Sequence, residues 1–383
     1  MALGMRTTYT DTTAQMRVIR DLIDLIDPMD VPLLAMLGAN NESRFRMQNF
    51  PGTKIEWLED TLSPDADTLG AAIGSAGATS ITVSNAVFQP GHVIKVDSEY
   101  MWVSAVSGTT LTVTRGFYGS TAATHSDGAT VDIVTVARLE GDDSDAGHTT
   151  ALTNPYNHSQ ILHKEIRVSG TEAVINQYGI PDTLNYHLQK IIGGGNGKGG
   201  RGRAGELPIR LNNTAYYGIR SAGGVSAPRT MGGFDQYITT NATSLTSSTA
   251  LSRKHIEDAI QTAWAGGGKP DTIVCHGWAK RKITSFYEGA VRTERSESLG
   301  GAVIDRIQTE FGELDLVLDR RCPSDKLWIL EKDRVGWVTV RPWDIQDLAI
   351  DGDYQKKQVI GEFSFVVLNE QAHAKISGFS TTK

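Results

Sequence analysis

Residues 53–62, TKIEWLEDTL, set Ile55 and Trp57 two positions apart among charged neighbours, the alternation of a strand with one apolar side. Such a strand needs a partner. Residues 159–175, SQILHKEIRVSGTEAVI, alternate Ile161, His163 and Glu165 against Leu162, Lys164 and Ile166 before the pattern turns helical. We expect Thr53–Leu62 and Ser159–Val168 to pair as a long hairpin, with everything between them carried as an insertion.

Working outward from that pair, the intervening residues from about 72 to 137 read as a β module of short strands: TSITVS, GHVIKVDSEYMWVSAVSG, TTLTVTRGFYG and ATVDIVTVA. Turns are expected at Gln89-Pro90-Gly91, Ser107-Gly108 and Asp127-Gly128. Toward the N-terminus, Val18, Ile19, Leu22, Ile23 and Ile26 hold helical spacing up to Asp27-Pro28, after which a proline-interrupted arm carries Leu33, Leu34 and Leu37. Beyond the second strand, PDTLNYHLQKII (181–192) has helical spacing that ELPIRLNNTAYYG (206–218) resumes through Leu207, Leu211 and Ala215. The economical reading is one long helix interrupted by the glycine-rich run 193–205, because each helical glycine costs about 1 kcal/mol relative to alanine.

Further on, Ser252 is placed to cap a helix over RKHIEDAIQTAWA, DTIVCHG reads as a buried strand, and WAKRKITSFYEG as a helix. AVIDRIQTEFGELDLVLDRR is expected to form a hairpin turning near Phe311-Gly312. After the strands of DKLWILEKDRVGWVTVRPW, QKKQVIGEFSFVVLNEQAHAKISGF should close the chain as a long strand pair.

The chain has 383 residues, 39% hydrophobic and 21% charged, enough for two or three folded domains. Its net charge of -7 is unevenly distributed. From Leu62 to Gln160 ten acidic residues stand against Lys95, Arg115 and Arg138, while the rest is near neutral. No apolar run approaches the length of a membrane span, so no membrane partner is expected.

The residues argue against catalysis. Lys198 in the glycine run is followed by Gly199 where a phosphate-binding loop needs Ser or Thr, and helical spacing precedes it where a strand is required. The nine histidines show no metal-ligand spacing, Cys275 and Cys322 read as buried thiols, and EGDDSDAGH (140–148) lacks the glutamate that closes a calcium loop. No GxSxG elbow exists to anchor a hydrolase triad. We therefore expect no catalytic residue, no cofactor and no metal.

Taken in order, DLIDLIDPMDVPLLAMLG (21–38), KIEWLEDTL (54–62), ILHKEIRVSGTEAVINQYG (161–179), RLNNTAYYG (210–218), RTMGGFDQYITTN (229–241) and GEFSFVVLNEQAHAKISGF (361–379) resemble a tailed-phage major capsid protein of the Hong Kong 97-like fold, in the branch with a β module inserted in the extended loop. The resemblance implies an α+β fold: an N-terminal arm at 1–49, an extended loop at 50–160 containing the module, a peripheral domain with its spine helix at 161–218 and 346–383, and an axial domain at 219–345. It implies self-assembly into hexamers and pentamers of an icosahedral head in the virion, built in the host cytoplasm around double-stranded DNA held non-specifically. A separate scaffolding protein, a portal at one vertex and a cement protein are the further partners implied.

A single copy should leave the apolar faces of the arm and of the strand at 53–62 uncovered, so Leu33, Leu34, Leu37, Ile55 and Trp57 are expected to meet a neighbouring subunit. Lys198, Arg201 and Arg203, in a run without an acid, are expected to touch DNA or an acidic neighbour. Two other classes compete. A β-rich adhesin or carbohydrate-binding structural protein explains the module but leaves the arm and helix idle, and a phosphate-loop enzyme requires nucleotide turnover.

Overall fold

A computed structural model describes residues 31–37, 52–141, 150–175, 180, 182–193, 205–287 and 305–382. The chain divides into two compact units, a main unit of residues 1–57 with 155–383 and an inserted unit of residues 58–154.

The main unit is built on a six-stranded sheet in the order Ala242–Ser244, Ala374–Ser377, Lys326–Leu330, Thr272–Cys275, Gly312–Leu318, Arg306–Thr309. Its central strands are buried on both faces, and strand periodicity sorts their side chains into two cores. Ile273, Cys275, Leu327 and Ile329 point into one core with Ile256, Ile260 and Ala263 of helix Arg253–Ala265 and Ile283 of helix Gly277–Tyr287. Val274, Trp328 and Leu330 point into the other, an aromatic cluster with Tyr216, Phe234 and Phe365. The expected cap is present: Ser252 Oγ accepts from His255 N–H while Ser252 N–H donates to His255 Nδ1, which satisfies two of the donors a helix start leaves open. The hairpin turning at Phe311-Gly312 also forms, pairing Thr309 with Gly312.

A second, three-stranded sheet orders Val335–Asp347, Tyr354–Val367 and Gln160–Ser169. Two sequence expectations are corrected here. Gln160–Ser169 runs antiparallel to Tyr354–Val367 and not to residues 53–62, because its inward Ile166 and Val168 are met by Val359 and by the helix residues Ile191 and Leu207. The closing strands Tyr354–Val367 and Ala374–Ser377 do not pair with each other; they join different sheets.

Two separate helices, Thr183–Ile192 and Glu206–Tyr217, form on either side of the glycine-rich run. Asp182 caps the first by accepting from Asn185 N–H at 3.1 Å, and Gly193 ends it with φ +89°. Gly205 N–H donates to Ile192 O at 3.2 Å, so the second begins where the first stops. A Cβ on Gly205 would lie 2.2 Å from Ile191 O, a contact only glycine avoids.

The inserted unit is one antiparallel six-stranded sheet, in the order Ala66–Thr68, Thr130–Val136, His92–Val96, Glu99–Ser107, Thr110–Thr114, Ser80–Thr82. Its core holds Ile94, Val96, Met101, Val103, Leu111 and Val131. The three turns fall where the sequence places them, and Gly91, Gly108 and Gly128 all take positive φ there.

Candidate assembly surfaces

Where the chain leaves the main unit for the insertion and returns, Lys54–Glu56 pairs antiparallel with Tyr156–His158. Trp57 N–H extends the ladder to Pro155 O at 3.1 Å. This is the root of the insertion, shorter than the hairpin the sequence suggests. Ile55 and Trp57, on the same strand side, pack against Val338 and Val366, with Tyr237 beside them at a ring distance of 5.9 Å from Trp57.

The expectation of uncovered apolar faces is therefore corrected. Ile55 is 1% exposed and Trp57 9%, both filled into the chain's own core. Leu33 and Leu37, one turn apart on helix Pro32–Leu37, are buried with Leu211, Trp328 and Phe365, while Leu34 is half-buried and its N–H donates to Asn212 Oδ1. Periodicity reveals which side of a segment is apolar but not which surface covers it. Lys198, Arg201 and Arg203, the acidic string from Asp142 to His148 and the helical pattern at 18–26 lie outside the described residues.

Polar side chains bolt the root in place. Asn157 Nδ2 donates to Gly232 O at 3.1 Å and to Phe365 O at 2.6 Å, and its Oδ1 accepts from Gly232 N–H at 2.9 Å. Arg220 donates to Tyr156 O at 2.6 Å and lies 4.0 Å over the Tyr156 ring. The buried Glu362 carboxylate accepts from Ser159 Oγ and Arg229 Nη2, each at 2.7 Å, and from Arg341 Nε at 3.1 Å. Burial pushes the Glu362 carboxyl up, but these hydrogen bonds and the two guanidinium charges outweigh it and hold it below the usual range. Burial, then the charges of Arg220, Arg229 and Lys54, pushes the His158 imidazole down.

A second bolt ties the helix Glu206–Tyr217 to the main sheet. Asn212 and Tyr216, four apart on one face, both donate to Asp319 Oδ2, at 2.7 and 2.8 Å. Burial first and the Asp319 charge second raise the Tyr216 phenol well above its ordinary value. None of Asn157, Arg220, Arg229, Glu362, Asn212 and Asp319 stood out in the sequence as a contact residue. Three of them, Asn212, Arg229 and Glu362, lie within segments that carry the family resemblance, and Glu362 stands in the buried end of its strand, where a charge demands a partner.

Apolar groups do remain exposed, at other positions. In the inserted unit these include Leu58, Leu62, Leu139 and Leu152, with Leu62 94% exposed, besides Tyr118, Val134 and Val136. In the main unit Tyr217 and Ile219 stand beside a cleft of about 530 Å³ lined also by Leu162, Arg210, Asn213 and Met231. Asn213 Oδ1 is buried there without a hydrogen-bond partner among the described residues. The buried thiols offer no nucleophile, since burial pushes Cys275 up to about 12 and raises Cys322 as well. Among the described residues no group of three His, Cys, Asp or Glu side chains is arranged to hold a metal ion.

Residues 6–380 match the profile of the family described as SU10 major capsid protein. Among solved structures, the cyanophage A-1(L) capsid asymmetric unit is similar with a TM-score of 0.56 at 11% identity, over 98% of this chain and 100% of that one. The chain also aligns with a structure from Mycobacterium phage Bobi at a TM-score of 0.48 and 11% identity, over 97% and 98% of the two chains. The capsid of Myoviridae phage XM1 gives 0.47 and 11%, over 94% and 96%. No curated protein matched the sequence.

Proposed function

The chain belongs to the SU10 major capsid protein family, phage head proteins of Hong Kong 97-like fold, and from that premise we propose how it builds its shell. The root of the insertion is an internal weld, and the inter-subunit contact is made by exposed leucines of the inserted unit. Ile55, Trp57 and Asn157 fix residues 52–57 and 155–159 to the main unit from within one copy. Leu58, Leu62, Leu139 and Leu152 in the inserted unit are left to a neighbouring copy.

The single observation that carries this reading is the contrast within one short segment: Trp57 is buried, whereas Leu58 directly after it and Leu62 are solvent-facing. A single exposed leucine is ordinary, and it is the four in the inserted unit together that we assign to a partner's cover. Burial at about 25 cal/mol per Å² makes each contact modest, and a closed shell repeats it at every subunit. Hexamers and pentamers enclosing double-stranded DNA, assembled in the host cytoplasm with a separate scaffolding protein, a portal and a cement protein, complete the proposal. Within it, Lys198, Arg201 and Arg203 are the candidates for contact with DNA or an acidic neighbour.

The test is expression of the chain with and without its phage's assembly proteins, followed by electron microscopy. Wild-type chain is expected to form closed shells. The variant with Leu58, Leu62, Leu139 and Leu152 changed to Ser should stay unassembled while keeping the wild-type circular dichroism spectrum. Normal shells from that variant would place the contact elsewhere.

A further inference from the structure

The inserted unit contains a feature that shell formation leaves unexplained, the turn Gly116-Phe117-Tyr118-Gly119. Tyr118 adopts φ +57° and ψ +21°, a left-handed conformation that a bulky side chain rarely takes, between Gly116 at φ +65° and Gly119 at φ +77°. Left-handed non-glycine residues persist only where the surroundings over-determine them. Here the surroundings do. Gly116 N–H donates to Glu99 Oε1 at 3.2 Å, and Arg115, one residue earlier, is ion-paired to the same buried carboxylate at 2.7 Å. On the other side, Ser120 Oγ accepts from Tyr100 N–H at 3.0 Å and donates to Phe117 O at 2.8 Å.

The result of this bracing is an aromatic ring held out into solvent. Tyr118 is 63% exposed, and its ring is propped by Phe117 at 4.5 Å and edge-on by Tyr100 at 5.8 Å. Phe117 and Tyr100 are half-buried, so they act as buttresses and leave a face of Tyr118 open. An aromatic residue wanting only burial would gain nothing from a strained turn that presents it to water.

We propose that Tyr118 is a stacking platform for a neutral saccharide. The chemistry selects this ligand in three steps. An exposed ring with a free edge and a phenolic hydroxyl offers an apolar face to the C–H side of a pyranose and a hydrogen-bonding tip to its hydroxyls. The turn is fixed beforehand by Glu99, Arg115 and Ser120, so binding orders little chain and a weak contact is not cancelled by entropy. Between Leu58 and Asn154 twelve acidic residues face three basic ones, a net of -9, which repels polyanions such as nucleic acid, sulfated glycans and sialylated glycans. Many copies on one particle would multiply a weak single-site affinity into firm attachment.

The experiment uses assembled particles of the full chain on an array of neutral oligosaccharides of glucose, galactose, mannose and N-acetylglucosamine, with sialylated and sulfated glycans alongside. Wild-type particles are expected to be retained on at least one neutral glycan. Tyr118→Gly keeps the left-handed turn without strain and removes the ring, so the unit should melt at the wild-type temperature while retention falls about tenfold or more. Tyr118→Phe should keep most of the retention. The proposal is overturned by absence of retention on every neutral glycan, by retention on sulfated or sialylated glycans alone, or by a Tyr118→Gly variant that binds like wild type. It is also overturned if Tyr118→Gly particles fail to close under the microscope, since the ring would then be a contact between copies. Failure of the shell reading itself would appear separately, as wild-type chain that never assembles.

Discussion

The two units solve the same problem, fixing an unambiguous core, by different means. The inserted unit has short strands of three to nine residues and centres its order on a buried ion network. Glu99, with no exposed surface, accepts from Arg115 Nε and Nη2, from Gly116 and Ala123 N–H, and is bridged by His125, whose other nitrogen reaches Asp97. The main unit instead lays the fourteen-residue strand Tyr354–Val367 against thirteen residues of Val335–Asp347 and fills the space with rings: Tyr216, Phe234, Trp328 and Phe365 lie at 5.0 to 6.2 Å from one another in sequence of contact. The lesson is one of size. A small sheet buries too little apolar area to specify its loops, so a charged staple at its centre fixes them, whereas the larger unit centres on packed rings and keeps its polar bolts, at Glu362 and Asp319, for joining its elements.

The largest expected effect breaks the staple. Glu99→Ala leaves Arg115 buried without its counter-charge, and removal of one partner from such a pair typically costs about 3–5 kcal/mol. Calorimetry is expected to show the inserted unit's transition shifted down or lost, with the main unit's transition in place. A shift shared equally by both transitions would mean that the two units do not unfold independently, and the comparison would fail.

Acid should separate the units in the order of their buried groups. His373, fully buried, has its imidazole pushed down to about 4 by burial. The unfolded chain takes up this proton first, so stability is whole above the ordinary value of 6.5 and is lost as pH falls from there to about 4. The loss is on the order of 3 kcal/mol. Burial raises the Glu99 carboxyl, but hydrogen bonds from Arg115, Ala123, His125 and Gly116 together hold it at about 2. Its contribution is whole above the ordinary carboxylate value of 4.5 and is lost only between there and about 2. Melting curves from pH 7 to pH 3 should therefore show the main unit weakening first. His373→Asn is expected to flatten the upper part of that decline; an unchanged decline would remove His373 as its cause.

A smaller loss is expected at the root of the insertion. Asn157→Ala strands the N–H of Gly232 and the carbonyls of Gly232 and Phe365, at about 1–3 kcal/mol. Hydrogen exchange should show Gly232 losing protection while the inserted unit keeps its own. Equal loss in both would mean that the root governs the insertion's fold.

What was legible in the sequence follows the range of the interactions. The glycine turns at 91, 108 and 128, the cap at Ser252 and the hairpin at Phe311-Gly312 are decided by residues a few positions apart, and all form. The partner of Gln160–Ser169 lies at the far end of the chain, and Asn157 reaches Phe365 across 208 positions, so no local pattern could announce either. The same limit explains Ile55 and Trp57: the strand showed an apolar side, and its own distant residues Val338 and Val366 proved to be the cover. Glu99 was within reach of sequence reasoning. It is in phase with Met101 and Val103 on the buried side of their strand, and a charge on that side demands a partner.

The smallest expected effect serves as the control for the others. Ser252→Ala removes the side chain that accepts from His255 N–H at the start of helix Arg253–Ala265, and loss of such a cap costs about 1 kcal/mol. The helix covers one of the two main cores through Ile256, Ile260 and Ala263, so the loss belongs wholly to the main unit. Its transition is expected to shift down by a few degrees, with the inserted unit's transition unmoved. This reverses the pattern expected of Glu99→Ala, and the pair of variants separates independence from mere fragility. If the inserted unit were simply the weaker region, it would respond to both; if each unit holds itself together by its own means, each responds only to the loss of its own device.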